Sequence, residues 1–261
     1  MSVKKIEDSL KERPFGKHKF KAALLMRNAM LLGSLTNNAE TMINVSKKDV
    51  ENLEKPDTCF LQKVLPTKAK TSKVFRYLEL GLIPVRFVLK QKRLKFLKYI
   101  LNEDTESMLK QVYDQQKKES RKGDFVFQVK QDMKEMDINM DDNEIKELSI
   151  RKWKKLVNEK TKEAALRYLV SENRQKEKTK HIKFKTLKLS EYLRTNKNTN
   201  ISNIIFSLRS GGLDIKTWNK WKYDDNLCVM CENKEENMDH LMECLEYGET
   251  KDFVWREVFE T

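Results

Sequence analysis

Three cysteines and one histidine near the C-terminus have the spacing of a metal-binding unit. Cys228 and Cys231 are separated by two residues, His240 follows after eight more, and Cys244 comes after another three. Cysteines at this separation can place both sulfurs on one ion, and a His-x3-Cys pair can share one face of a short helix. Three thiolates and one imidazole make a closed tetrahedral site, so we predict structural Zn²⁺ at these four residues. The alternative is three small buried cysteines beside an unrelated histidine.

The charges divide the chain into two parts of opposite sign. From residue 224 onward there are 12 acidic and three basic residues, a net charge of −9, whereas the first 223 residues have 50 basic and 28 acidic residues, a net charge of +22. Such a basic body is expected to attract RNA or DNA, although lysine-rich composition can also serve solubility alone. Acidic residues flank the predicted ligands, at Glu232, Glu235, Glu236, Asp239, Glu243 and Glu246. We therefore interpret the tail as a structural clasp and not as the phosphate-binding part.

Two basic segments are candidates for nucleic-acid contact. In a helix predicted over residues 85–101, the candidates are Arg86, Lys90, Lys92 and Arg93. Between the last apolar helix and the cysteines, the candidates are Arg209, Lys216, Trp218, Lys220 and Lys222. An aromatic ring among basic residues can stack on a base while the cations hold phosphates. The alternatives are solvated helix side chains in the first segment and packing of the tryptophan against the preceding helix in the second.

Catalytic patterns are missing from the sequence. There is no nucleophile elbow, phosphate-binding glycine loop or His-Glu-x-x-His helix. The paired acids in Tyr223-Asp224-Asp225 lack the intervening residue of the polymerase metal motif, so we treat them as coincidental. His18 and His181 lie among lysines without a clear partner. We therefore expect no enzymatic activity from this chain on its own.

The composition predicts a mainly α-helical protein. Only 7 glycines and 4 prolines occur, and the 177 residues after Pro84 contain no proline, which leaves too few turn residues for an all-β fold. Ser46 and Ser149 are predicted N-caps, Pro56 a helix start and Gly81 a helix end. A period-two run over residues 182–186 is the single candidate strand. We expect an irregular multi-helix array followed by a small C-terminal zinc knuckle.

Four segments are predicted along the chain. They are a disordered N-terminal segment at 1–16, a basic helical domain at 17–175, a linker and helix at 176–223, and an acidic zinc-binding unit at 224–261. The start of the chain lacks the apolar core of a signal peptide, and no stretch approaches 18 consecutive apolar residues. Four cysteines do not make a disulfide scaffold. These features predict a protein of the cytoplasm or nucleus with no membrane partner.

Several short segments, in a shared order, resemble the C-terminal region of the reverse transcriptases encoded by non-LTR retrotransposons, downstream of the polymerase palm. They cover about residues 22 to 247: Leu53-Glu-Lys-Pro-Asp57, Val74-Phe-Arg-Tyr-Leu-Glu-Leu-Gly-Leu-Ile-Pro84, Gln91-Lys-Arg-Leu-Lys-Phe-Leu-Lys-Tyr-Ile-Leu101, Gly123-Asp-Phe125, Ile204-Ile-Phe-Ser-Leu-Arg-Ser-Gly211, and Cys228-x2-Cys231 with Asp239-His-Leu-Met-Glu-Cys244. The resemblance implies a zinc-binding, nucleic-acid-associated unit with Cys228, Cys231, His240 and Cys244 as ligands. The polymerase and endonuclease motifs of the family are missing, and His-x3-Cys is one residue shorter than the family's frequent form.

Together these features predict a non-catalytic, nucleic-acid-binding C-terminal fragment of a retrotransposon-type reverse transcriptase. Its partners would be RNA or DNA through the basic body, and a polymerase domain of the parent element. One alternative is a protein-interaction scaffold that uses the acidic knuckle to bind a basic partner. Another is a truncated transposon remnant without a retained function.

Overall fold

The computed structural model describes residues 19–65, 71–119, 121–180, 182–195, 199–211, 215–218, 220–237, 240 and 243–244. In these ranges the chain is mainly helical, as predicted. Ten α-helices are numbered here as α1 (Lys19–Met26), α2 (Lys47–Val64), α3 (Lys73–Leu80), α4 (Val85–Asn102), α5 (Met108–Glu119), α6 (Phe125–Glu135), α7 (Asp142–Glu147), α8 (Ile150–Arg174), α9 (Glu191–Thr195) and α10 (Thr199–Arg209). Short helical turns follow α1 and α10. The predicted N-terminal segment 1–16 lies outside these ranges.

The helix α4 lies at the centre of the array because it is apolar on two sides. Phe87, Leu94 and Leu97 are buried in a core shared with α6 and α8, whereas Val85 and Leu89 pack on the other side. A helical projection of residues 85–101 also predicts two apolar arcs, but it places Phe96 and Ile100 with Val85 and Leu89, whereas they pack in the core of Phe87. A helix of this kind needs neighbours on both sides, and its burial fixes the positions of the basic residues between the arcs.

The long helix α8 joins the two larger cores. Near its N-terminus, Trp153 is fully buried and its indole N–H donates to the Leu94 carbonyl at 2.9 Å, which attaches α8 to α4. Near its C-terminus, Leu169 packs in the other large core, which surrounds α3 and is called the first core here. Ser149 caps the helix as predicted, accepting a hydrogen bond from the Lys152 amide at 3.3 Å. One helix therefore holds both halves of the body together.

The segment predicted as a linker contributes to the first core. Ile182, Tyr192 and Phe206 are buried there, and Phe206 stacks on Phe75 at a ring-centroid distance of 5.8 Å. The chain from 182 to 195 therefore belongs to the packed body together with α10. The strand predicted over 182–186 does not form within the described part of this segment, which instead runs as irregular backbone with short turns.

Gly81 ends α3 as predicted and makes room for the returning chain. It has a positive φ of 64°, and a Cβ placed there would collide with the backbone of Lys188 and Leu189. The Ser190 amide donates to the Glu79 carbonyl at 2.9 Å directly beside this contact. A glycine is therefore required both by the backbone conformation and by the close approach of residues 188–190.

The prediction that Pro56 starts a helix was wrong. The helix α2 begins at Lys47, where Ser46 and Asp49 form a reciprocal capping box, and it continues through Pro56 to Val64. A proline in a helix interior removes one backbone hydrogen bond and costs about 3 kcal/mol in an exposed helix. Phe60 and Leu61 beyond it are fully buried, and this packing holds the second half of α2 in line.

A buried ion pair connects α2 with the turn that follows α1. Arg27 is 1% exposed and donates to both carboxylate oxygens of Asp57 at 2.6 Å, while the Tyr77 hydroxyl donates to Asp57 at 2.7 Å. Burial, followed by the negative charge of Asp57, raises the pKa of Tyr77 well above its ordinary value. The same pairing of an arginine with a buried carboxylate recurs in the body.

No helix in the ranges that the structure describes is both long enough and apolar enough to cross a bilayer.

Candidate metal centre and basic surfaces

A tight loop positions the first two cysteines. The Cys228 amide donates to the Lys234 carbonyl at 2.7 Å, and the Glu232 amide donates back to the Cys228 carbonyl at 2.9 Å. Glu232 has a left-handed φ of 53°, which turns the chain, and Leu227 pairs with Glu235 in an antiparallel bridge. The loop therefore closes on itself and presents both sulfurs on its inner side.

The other two residues lie one helical turn apart. The Cys244 amide donates to the His240 carbonyl at 2.7 Å, the i to i+4 bond expected for the His-x3-Cys spacing. Asn237 caps this turn, because its side-chain oxygen accepts from the His240 amide at 2.7 Å. The short helix predicted from the sequence thus has local support at both ends.

The four side chains converge on one point. Their candidate ligand atoms all lie within 4.8 Å of one another, and Cys231 Sγ is 3.2 Å from His240 Nε2. Cys228, His240 and Cys244 are buried, whereas Cys231 is partly exposed. The four residues predicted as ligands therefore lie close enough together to bind one metal ion.

The loop also favours the thiolate form of one ligand. Backbone N–H groups, first that of Asn233 and then that of Lys234, lower the pKa of Cys231 to about 6 against the opposing effect of burial. On His240, the Nδ1 atom is buried and has no hydrogen-bond partner among the residues that the structure describes. Thiolate sulfur and imidazole nitrogen are the ligands expected of a metal site that prefers soft or intermediate donors.

Glu236 fastens the metal-binding loop to the preceding chain, a role that sequence reasoning missed. It is only 7% exposed, and its carboxylate accepts from the backbone amides of Lys216 at 3.1 Å and Val229 at 3.3 Å. Its carbonyl accepts from the Thr217 hydroxyl at 2.7 Å. No pattern in the sequence indicates this role, because Glu236 stands among several other acidic residues.

Two arginines predicted as phosphate contacts on α4 instead pair with internal carboxylates. Arg86 donates to both carboxylate oxygens of Glu54 at 2.7 and 2.9 Å and to the Tyr168 hydroxyl at 2.9 Å. Arg93 is 4% exposed and bonds to Asp132 at 2.7 and 3.2 Å. We therefore revise the assignment of Arg93, which is enclosed, whereas phosphate contact by the partly exposed Arg86 stays a prediction.

The two lysines predicted on α4 also have partners. Lys90 forms an ion pair with Glu135 at the surface. The ammonium of Lys92 donates to the Thr36 carbonyl at 2.5 Å and remains partly exposed. Neither lysine is fully enclosed, so phosphate contact by these two residues stays a prediction.

The second predicted cluster is not a single basic surface. Arg209 is 4% exposed and donates to Glu79 at 2.7 Å, so it belongs to the first core and its assignment is also revised. Lys216 pairs with Asp225 at 2.8 Å, which links the chain before the loop to its acidic start. Lys222 is exposed and lies over the ring of Tyr223 at 5.3 Å.

The remaining two members of that cluster, Trp218 and Lys220, have side chains that lie outside the described part of the structure. Their contact with a base or a phosphate stays a prediction, as does the packing alternative for the tryptophan.

No protein-family model, curated protein or solved structure matches this chain. The resemblance to retrotransposon reverse transcriptases therefore rests on the sequence segments quoted above.

Proposed function

We propose that this protein is a zinc-stabilised helical module that binds RNA or DNA without catalysing a reaction, and that it corresponds to the C-terminal region of a non-LTR retrotransposon reverse transcriptase. The observation that carries the proposal is the convergence of three thiols and one imidazole at the junction between the basic body and the acidic tail. A polymerase domain of the parent element would be its partner in reverse transcription.

The donor set favours zinc. In a tetrahedral zinc site with Zn–S bonds of about 2.3 Å and Zn–N bonds of about 2.0 Å, neighbouring donor atoms lie about 3.6–3.8 Å apart. The candidate atoms here lie within 4.8 Å of one another, so shifts of about 1 Å bring them to that spacing. With four protein ligands the ion would supply folding free energy by joining the loop at Cys228 to the turn at His240.

The charge distribution supports nucleic acid as the ligand of the body. Internal ion pairs cancel charges in equal numbers, so the net charge of +22 on the first 223 residues remains in excess. Arg86, Arg93 and Arg209 are matched by carboxylates. The excess therefore resides on other basic residues of the body, many of which are exposed lysines. A field of this sign accelerates and strengthens the binding of polyanions through release of their counterions.

Two measurements test the proposal. Zinc content should be one ion per chain in the wild type and in Cys59→Ser, since Cys59 is exposed and outside the cluster, and should fall to near zero in Cys228→Ser. Binding of a labelled oligonucleotide should weaken steeply with salt, with a log–log slope of roughly one unit for each neutralised phosphate. Stoichiometric zinc in Cys228→Ser, or no binding at low salt, would contradict the corresponding part of the proposal.

A second candidate function, a protein-interaction scaffold, is favoured by the surface of the loop. Val229 is 63% exposed and Met230 is 49% exposed, and the acidic side chains of Glu232 and Glu235 are exposed beside them. An apolar tip with an acidic border suits a basic protein partner.

Charge reversal separates the two functions. Glu232→Lys/Glu235→Lys should abolish cross-linking of a basic partner through the loop, while affinity for an oligonucleotide stays equal or rises. Glu236 must be left intact in this test, because its buried carboxylate accepts from the Lys216 and Val229 amides and so joins the loop to the preceding chain. A loss of oligonucleotide binding in the reversed variant would instead assign nucleic-acid contact to the acidic unit.

A further inference from the structure

A groove lies between α4 and the N-terminal half of α8, and Lys92 is the predicted contact that lines it. It has a volume of about 480 Å³, which is within the range of small-molecule sites, and it is open to solvent along one side. Its basic lining consists mainly of Lys92 and Lys95 from α4 and Lys154 from α8. Glu40 and Glu103 stand at its border.

The cations of α4 differ in one respect that singles out Lys95. Five of the six have a partner inside the protein: Arg86 has Glu54, Lys90 has Glu135, Arg93 has Asp132, Lys92 has the Thr36 carbonyl, and Lys98 has the Ile145 and Lys146 carbonyls. Within the part of the chain that the structure describes, Lys95 has neither a hydrogen bond nor an ion pair, although it is half-buried. Its side chain faces the groove.

The two charges that act most strongly on Lys95 have the same sign as its own. Burial first, and then the nearby ammonium groups of Lys154 and Lys92, lower the pKa of Lys95 below its ordinary value. Bringing like charges together raises the free energy of the unliganded groove, and an anion placed among the three ammonium groups relieves that repulsion. The electrostatic arrangement therefore favours an anionic ligand.

The lysine lining continues along α8. Ile150 and Lys154 also border an adjoining hollow, whose other basic residues are Arg151, Lys155 and Lys162. The first turn of α8 contains no acidic residue, so the positive end of this 25-residue helix is not offset there. The basic surface is thus elongated, which suits a chain of phosphates better than a single ion.

An exposed aromatic ring lies at the same groove. Tyr99 is 55% exposed, and its ring is nearly parallel to that of Phe96, at a centroid distance of 5.8 Å and an interplanar angle of 12°. Both residues line the groove. The packed ring of Phe96 fixes the orientation of Tyr99, whose outward face is free to stack on a base.

We propose that this groove binds one nucleotide of a single-stranded nucleic acid, with its phosphates at Lys92, Lys95 and Lys154 and its base stacked on Tyr99. The assignment rests on the proposed function and specifies where on the body the strand lies. It replaces the buried arginines as the source of specific contacts. Lys95, Tyr99 and Lys154 were not among the residues that the sequence indicated.

The phosphate contacts are tested by the salt dependence of binding. Fluorescence anisotropy with a labelled deoxythymidine oligomer should give Lys95→Gln/Lys154→Gln a log–log slope smaller than that of the wild type by about 1.4, at about 0.7 for each lost contact. The matched control is Lys47→Gln/Lys48→Gln, which removes the same charge from the exposed start of α2 and should keep the wild-type slope. Equal slopes for the two double variants would overturn the groove as the binding site.

The stacking contact is tested at Tyr99. Loss of a stacked base costs at least about 1 kcal/mol, so Tyr99→Ala should weaken binding of the oligomer by about fivefold or more, whereas Tyr99→Phe should bind like the wild type. Tyr99→Ala and Tyr99→Phe should bind a duplex of the same length with equal affinity, because the bases of a duplex are not free to stack on the ring. An equal loss with the duplex, or no loss with the oligomer, would overturn the stacking assignment.

Failure of the proposed function gives a different result. If the wild type binds neither the oligomer nor the duplex at low salt, both proposals are wrong. If the wild type binds and only the groove variants are unaffected, the proposed function stands and the groove does not. Circular dichroism melts of the lysine variants and of Tyr99→Phe should match the wild type, whereas Tyr99→Ala loses the ring contact with Phe96 and is compared at a temperature where it is folded.

Discussion

Replacement of Arg93 by methionine should destabilise the protein strongly while leaving its affinity for nucleic acid unchanged. Arg93 is buried and donates twice to Asp132, and it also donates to the Met42 carbonyl at 2.9 Å. In the variant, the fully buried Asp132 keeps only a 3.3 Å bond from the Gln128 amide. Removal of one partner from a buried ion pair costs about 3–5 kcal/mol, because the remaining charge is desolvated and unpaired.

Urea unfolding followed by circular dichroism measures this cost. With an m-value near 3 kcal/mol per molar, a loss of about 4 kcal/mol lowers the urea midpoint by about 1.3 M. The double variant Arg93→Met/Asp132→Leu should recover most of the loss, because no buried charge is left without a partner. Glu163→Ala, which removes an exposed partner of Lys160, is the surface control and should change stability by less than about 0.5 kcal/mol.

Oligonucleotide binding is then measured below the unfolding transition, where each variant is folded. The contrary outcome is an Arg93→Met variant that unfolds like the wild type but loses one contact from the salt slope of binding. That result would return Arg93 to the phosphate-binding surface. If Arg93→Met/Asp132→Leu is as unstable as Arg93→Met, the unpaired charge of Asp132 is not the cause of the loss of stability.

Three further predictions concern other parts of the molecule. A metal chelator should speed proteolysis of the bonds between residues 223 and 237, while the melting temperature of the helices up to residue 180 stays unchanged. An equal rate of cleavage with and without chelator would contradict this. Gly81→Ala should lower the thermal midpoint by several degrees, since the new Cβ collides with the backbone at Lys188, and an unchanged midpoint would show that residues 188–190 move freely. Burial alone would raise the pKa of Glu54, but hydrogen bonds and charge from Arg86 outweigh it and hold that pKa below its ordinary 4.5. The stabilisation from Glu54 is therefore present above pH 4.5 and is lost as the pH falls below it, so unfolding of Glu54→Gln should depend less on acid than that of Glu147→Gln, an exposed control.

The helices were predictable where local signals define their ends. The capping box at Ser46, the N-cap at Ser149 and the glycine at position 81 each act through bonds or conformations within a few residues. The prediction that Pro56 starts a helix was wrong because tertiary packing of Phe60 outweighs the local cost of a proline inside the helix. Local sequence patterns determine where a helix begins and ends. Burial of the residues that follow determines whether a proline inside the helix is tolerated.

The convergence of the four candidate metal ligands could also be predicted from the sequence, because their spacing encodes their geometry. Two residues between Cys228 and Cys231 set the width of the loop, and three between His240 and Cys244 set one helical turn. The role of Glu236 could not be predicted in this way. Its partners are backbone amides at positions 216 and 229, which no side-chain pattern reveals.

Three of the predicted nucleic-acid contacts, Arg86, Arg93 and Arg209, pair with carboxylates of the body. In the described part of the chain, the arginines at 27, 93 and 209 are buried against carboxylates, and Lys98 is the one buried lysine there. Guanidinium is less strongly hydrated than ammonium and bonds to a carboxylate through two parallel donors, so it is the cation better suited to burial.

This difference changes how a basic amphipathic helix is interpreted. On a helix that is apolar on two sides, an arginine next to the apolar arcs is expected to find a buried carboxylate on a neighbouring helix, as Arg93 finds Asp132. A lysine at such a position usually extends its ammonium toward solvent, and Lys95 does so into a groove where other lysines gather. Surface attraction of a polyanion is therefore better judged from the lysines of α4 than from its total charge. By that criterion the groove, and not the surface around Arg86 and Arg93, is the place where a phosphate gains most from binding.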